Sequence, residues 1–217
     1  MKRVIIAASV ATAISFTSSN AQPMAGGVCK ETSKAPDTIG CWIIAHDRIG
    51  TLQTSQAYWH LDTFPSEAAA MSEKGPRGTV LQAFGKVWLL TIDDAPKWNA
   101  RGGEHVSDIG PLPINPGREY SAQYMQAIFE PGMTAPAHHH SGPEAWHTLA
   151  GETCLETPEG IMVGKAGGPP VIVPGGPPMH LTATGTEQRR AMVLILHDAS
   201  QPASSPAHEW SPKGLCK

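Results

Sequence analysis

The sequence lacks a basic excess. Its formal net charge is −3, and no Lys/Arg cluster or interleaved aromatic pattern runs through it. Nonspecific nucleic-acid binding, which depends on phosphate neutralisation, is therefore not expected. Past its first residues the chain also lacks any apolar run long enough to span a bilayer. It has no G-x-S-x-G nucleophile elbow. Its GGPP and PGG segments are not followed by Lys-Ser/Thr, so they are not phosphate loops. Cysteine is scarce, at four residues, and no Cys-X-X-Cys occurs, which argues against a zinc knot. No internal repeat with a period of about 20–50 residues is evident.

Glycine and proline, by contrast, are abundant at 22 and 20 residues. That favours turns and short strands over long helices. The first residues have a secretory design. Met1-Lys2-Arg3 is a short positive start, residues 4–16 are mostly apolar and uncharged, and Ser19-Asn20-Ala21 offers small residues for a signal peptidase. Cleavage before Gln22 is expected, with a periplasmic or secreted product and no remaining membrane span. Removing residues 1–21 takes away Lys2 and Arg3 and moves the formal charge to −5. An exported chain can oxidise its cysteines. Cys29 and Cys41 bracket a loop-like segment and are the favoured pair; Cys216 then pairs with Cys154 or stays free.

Residues 41–45, 57–64, 79–84 and 86–92 read as strands, and residues 66–74 read as a helix that opens on a Ser cap and stops at Gly75-Pro76. Residues 94–118, rich in Gly and Pro, read as a loop-rich bridge. From residue 119 onward, short apolar segments alternate with turn residues, as in a β-sandwich or barrel. The fold class expected is mainly β. The expected division is a signal peptide (1–21), an N-terminal β-rich or α+β extension (22–112) and a β-barrel domain (113–217).

The run GMTAPAHHHSGPEAWHTLAG carries the chemistry. His138 and His140 are two apart, so on a strand they project from one face, with His139 on the other. Ser141-Gly142-Pro143 is turn chemistry. A strand returning from Glu144 brings a carboxylate towards the two imidazoles. Two neutral imidazoles and one carboxylate suit a divalent first-row metal and leave positions open for water or substrate. Alternation from Glu144 puts Trp146 and Thr148 on the site face and His147 on the other.

The run resembles the first conserved motif of the cupin superfamily, G(X)5HXH(X)3-4E(X)6G, at every defined position from Gly132 to Gly151. The second cupin motif, G(X)5PXG(X)2H(X)3N, fits at Gly168, Pro174 and Gly176, but Met179 stands at the histidine position and Ala183 at the asparagine. His180 is one residue late. On a regular strand it faces away from the site and Met179 faces in; a bulge after Pro177-Pro178 would instead turn His180 inward. Both site models stay open: His138, His140 and Glu144 alone, or those three with His180.

The resemblance covers about residues 119–199. It implies an RmlC-like jelly-roll barrel holding one divalent transition metal (Fe, Mn, Zn, Cu or Ni), with Trp146, Thr148 and Met179 shaping the pocket for a small-molecule ligand. The first half would then be a degenerate cupin half, if it is a cupin unit at all. Implied activities are dioxygenase-like or Lewis-acid lyase or isomerase chemistry, and the alternative is a non-catalytic binding module. Cupins also commonly pair, which makes a homodimer a further expectation.

Overall fold

A computed structural model describes residues 22–23, 29–98 and 100–217. The expected signal segment lies outside the described residues. Strands β1 (Gln22–Pro23), β2 (Lys30–Glu31), β3 (Gly40–Thr51) and β4 (Gln56–Phe64) lead into helix α1 (Glu67–Glu73). Strands β5 (Gly78–Ala83), β6 (Lys86–Asp93) and β7 (Glu104–Pro113) follow. The second half holds β8 (Glu119–Phe129), β9 (Met133–His140), β10 (Glu144–Ala150), β11 (Glu152–Thr157) and β12 (Gly160–Lys165). It ends with β13 (Val171–Val173), β14 (Met179–Thr184), β15 (Arg189–Asp198) and β16 (Ser204–Pro206). Among the described residues no helix is long and apolar enough to cross a membrane.

Three sheets stack as layers. The outer sheet of the C-terminal half runs β1-β9-β14-β11-β12, with β16 also paired to β9. The central sheet runs β13-β10-β15-β8-β3-β2. The third runs β5-β6-β4-β7. Alternation along β8 and β15 serves two cores at once. Met125, Ala127, Val193 and Ile195 face the first sheet and pack on Leu155, Met179 and Leu181. Ala122, Tyr124, Leu194 and Leu196 face the third sheet and pack on Trp59, Leu61, Leu90 and Ile109. A strand buried on both sides reads as a nearly continuous apolar run, which is why AMVLIL carries no polar alternation.

The third sheet's far face is covered by α1, where Phe64, Ala70, Leu89 and Ala100 form a smaller core. Ser66 caps α1 by accepting the Ala69 amide at 3.2 Å, and Glu67 lies in the first turn, where a carboxylate is favourable.

Two expectations need correction. The bridge over residues 94–118 contains β7, ten residues long and hydrogen-bonded to β4. Register shifts on this pair fall between Ala57 and Trp59 and between Leu61 and Asp62. These bulges break the two-residue alternation that a sequence reading depends on, and Gly110-Pro111 and Pro113 hide the rest. The boundary drawn near residue 112 also does not follow the sheets, because β3 pairs with β8 from Gly40 to Thr51.

Both disulfides are formed. Cys29 is joined to Cys41, and Cys154 to Cys216. The second ties the C-terminal tail to β11. There the buried Glu156 accepts the Leu215 amide at 2.9 Å and also the Lys213 amide.

Candidate metal centre

The turn at residues 141–143 carries the chain from β9 in the outer sheet to β10 in the central sheet, and this corner assembles the centre. His138 and His140 share a face of β9, and Glu144 opens β10. Ligand atoms of these three residues all lie within 4.8 Å of one another, the one such group of three His, Cys, Asp or Glu among the described residues. The rings of His138 and His140 meet edge to face, 4.7 Å between centroids. Their Nε2 atoms are 3.1 Å apart, and His140 Nε2 is 3.4 Å from a Glu144 carboxylate oxygen. His140 and Glu144 are almost fully buried, 3% and 6% exposed.

The other nitrogen of each ring is tied down. His138 Nδ1 lies 2.7 Å from the Pro136 carbonyl, and His140 Nδ1 lies 2.9 Å from the Ala203 carbonyl. A carbonyl only accepts, so each Nδ1 carries the proton and each Nε2 presents a lone pair. The Ser204 hydroxyl, 2.9 Å from His140 Nδ1, then accepts as well. Two lone pairs facing each other at 3.1 Å repel unless a proton or a cation lies between them. Carbonyl hydrogen bonds behind the imidazoles also fix ring orientation, as around known metal sites. The donor set therefore fits a divalent metal.

Electrostatics agree. For His138, burial and then the neighbouring His140 lower the pKa. For His140, burial pulls down, but the charge and hydrogen bond of Glu144 win and the pKa is raised. For Glu144, burial pushes up, yet His140, His138 and Arg189 together hold the carboxyl below its ordinary range.

The two motif glycines have backbone reasons. Gly132 sits at φ +85° and Gly151 at φ +67°, in the left-handed region that side chains rarely adopt. A Cβ on Gly151 would also come within 2.8 Å of the Arg189 backbone.

His139 points the other way, to the Gly176 carbonyl at 2.7 Å and to Glu209. Met179 is the cross-strand partner of His138, fully buried in the interior. The register shift on this pair leaves one residue of β14, His180, opposite two of β9, Pro136 and Ala137, so the extra residue is on β9. Against β11, β14 runs in unbroken register, and His180 pairs with Glu156 on the outward face. His180 is not among the three clustered ligands. His147 lies on the opposite face of β10 from Trp146, as alternation requires.

Trp146, Thr148 and Met179 are packed within the interior. A pocket of about 540 Å³ lies beside the centre, lined by His140 together with Tyr120, Gly142, Pro174, Gln201 and Ser205, and by neither His138 nor Glu144. None of Trp146, Thr148 and Met179 lines it.

Sequence reasoning missed Arg189. It is 1% exposed, its Nε donates to Thr153, and its guanidinium stacks 5.3 Å from Phe129 and 6.0 Å from Trp146. Burial brings its pKa down to about 10, against the pull of Glu144. The available signal was the arginine pair that precedes the apolar run AMVLIL.

The inward His-X-His and Glu set lies between two facing sheets, as the motif resemblance implies. No protein-family model and no curated protein matches the sequence. Among solved structures, the chain is similar to a cupin-like protein from Thermotoga maritima at 17% identity, over 40% of this chain and 64% of that one, with a TM-score of 0.36. It is similar to the DMSP lyase DddQ from Ruegeria pomeroyi at 23% identity, over 53% of this chain and 50% of that one, with a TM-score of 0.35. An RmlC-like cupin family protein from Methanocaldococcus jannaschii matches at 17% identity, over 40% of this chain and 77% of that one, with a TM-score of 0.33. The chain thus spans less than two thirds of the first two proteins.

Proposed function

We propose that this protein is an exported cupin metalloprotein that holds one divalent first-row metal on His138, His140 and Glu144 and acts on a small organic molecule. The observation that carries the reading is the pair of Nε2 lone pairs 3.1 Å apart, each fixed by a carbonyl behind its ring. A metal there supplies Lewis-acid polarisation of a bound oxygen or, if redox-active, dioxygen chemistry. The chain's own part is to orient the two imidazoles, to supply the Glu144 carboxylate, and to exclude water with the packed Trp146 and Met179. The pocket beside His140 is the approach for the molecule acted on. Export is supported by the charged, apolar and small-residue pattern of the first 21 residues and by cysteines that all form disulfides.

A second reading, a non-catalytic binding module, is favoured by one feature. Met179 fills the place beside His138 where a further nitrogen ligand would stand, and the pocket meets the centre only through His140. Elemental analysis of protein recovered from the periplasm identifies the metal. Oxygen uptake and product analysis with phenolic, thiol and diketone compounds then separate the readings. Turnover supports the enzyme, and thermal stabilisation by a compound that is not turned over supports the module. Protein recovered without metal that also refuses reloading would overturn both.

A further inference from the structure

A second cluster of titratable groups lies on the third sheet, on the other side of the central sheet from the cupin centre. His60 and Asp62 are two apart on β4, so both project from its outer face, beneath Trp98, and both are 0% exposed. Each is held from β7. His60 Nδ1 is 2.6 Å from an Asp108 carboxylate oxygen, and His105 Nδ1 is 3.1 Å from one oxygen of Asp62. His105 Nε2 lies 3.3 Å from the second Asp108 oxygen, which ties the two supports together.

The atoms on the far sides are left over. His60 Nε2 and Asp62 Oδ2 are buried with no hydrogen-bond partner among the described residues. So is the hydroxyl of Thr91, the cross-strand neighbour of His60 on β6. Natural structures leave few such atoms, and three belong to neighbouring residues of one sheet face here. Their chemistry is specific. A carboxylate behind Nδ1 keeps the proton on that nitrogen, so Nε2 is a lone pair; Asp62 Oδ2 is also an acceptor. Buried acceptors without a partner are costly, and a cation is a group that satisfies them.

We propose that His60 Nε2 and Asp62 Oδ2, with the Thr91 hydroxyl, hold a second divalent cation. An imidazole backed by a carboxylate at one nitrogen and free at the other is the usual state of a metal-ligating histidine, and ligating carboxylates are themselves hydrogen-bonded. Both conditions are met here by residues of a neighbouring strand. The side chains of His105 and Asp108, 34% and 24% exposed, mark the side open to solvent. With two strong donors rather than three, this site binds more weakly than the cupin centre. Neither site requires the other.

Equilibrium dialysis of the full chain against zinc, read by elemental analysis, tests this. Wild type should bind two equivalents. Asp62→Asn is nearly isosteric but removes the charge from one of only two strong donors, so it should bind one equivalent, as should His138→Ala combined with His140→Ala; all three substitutions together should bind none. A single equivalent in wild type that is lost with the two histidines, or two equivalents retained by Asp62→Asn, would overturn the second site. A single equivalent that survives in the double histidine variant and is lost with Asp62→Asn would count against the cupin centre instead. X-ray absorption of zinc in the double histidine variant gives an independent readout that needs no change at the proposed site. One imidazole in the coordination sphere is expected, and none or two would refute the assignment.

Discussion

Met179 stands opposite His138 across the β14–β9 pair, and His180 stands opposite Glu156 across the β14–β11 pair. One strand thus sends Met179 to the centre and His180 to the outer face. His180→Ala should therefore leave the affinity of the His138, His140 and Glu144 centre for metal nearly unchanged. Met179→His should tighten it, because a nitrogen donor replaces a weak thioether beside His138. Since even groups behind a ligand are worth about 10–100-fold, a new direct ligand should be worth at least about tenfold. Competition against a chelator of known affinity measures both variants. A large loss on His180→Ala would mean that β14 is bulged in solution.

Removing both imidazoles should remove one equivalent of metal. His138→Ala with His140→Ala takes both nitrogen donors from one face of β9, while the Glu144 carboxylate alone cannot hold the ion. Glu144→Gln should weaken binding less, since the amide oxygen still donates. Dialysis with elemental analysis reads the equivalents. Full retention by the double variant would place the metal elsewhere.

The pH dependence follows from His140. Burial opposes its charge, yet Glu144 raises its pKa, so the metal-free protein keeps a proton on His140 at higher pH than an ordinary imidazole would. Metal must displace that proton. Affinity should rise about tenfold for each pH unit below the raised pKa and level off above it. Metal-free stability runs the opposite way for this group. Its contribution is complete below the unfolded-state pKa and is lost as pH climbs through the folded-state value. Heating scans with and without metal should therefore diverge as pH rises. Glu144→Gln removes the charge that raises the pKa, so its plateau should begin at lower pH. A plateau that does not move would show that another group controls the proton.

The second half was legible because its signals are local. The short strands expected from residue 119 onward are present, from β8 to β15, separated by turn residues. The convergence of His138, His140 and Glu144 needed only strand alternation and one tight turn. What the sequence hid is long-range or irregular. β7 was masked by two bulges and three prolines or glycines. The partnership of β3 with β8 joins segments about 80 residues apart, and no local pattern reports it. His60 and Asp62 are spaced like ligands, but their supports, His105 and Asp108, come from the very segment read as a loop.

The C-terminal tail gives a final test. The Cys154–Cys216 bond closes a span of 62 residues, and the tail's Leu215 amide satisfies the buried Glu156. In the chain-entropy account, a closed loop of that length is worth about 4 kcal/mol, against about 3 kcal/mol for the shorter Cys29–Cys41 span. Loss of the longer link does more than free the unfolded chain. It lets the tail leave β11 and exposes Glu156 to water, so part of the folded state's hydrogen bonding goes with it. Cys154→Ser with Cys216→Ser should therefore lower the melting temperature more than Cys29→Ser with Cys41→Ser. Hydrogen exchange should show lost protection at the Lys213 and Leu215 amides in the first variant and not in the second. Equal melting shifts, with both amides still protected, would show that the tail is held by its hydrogen bonds and not by the disulfide.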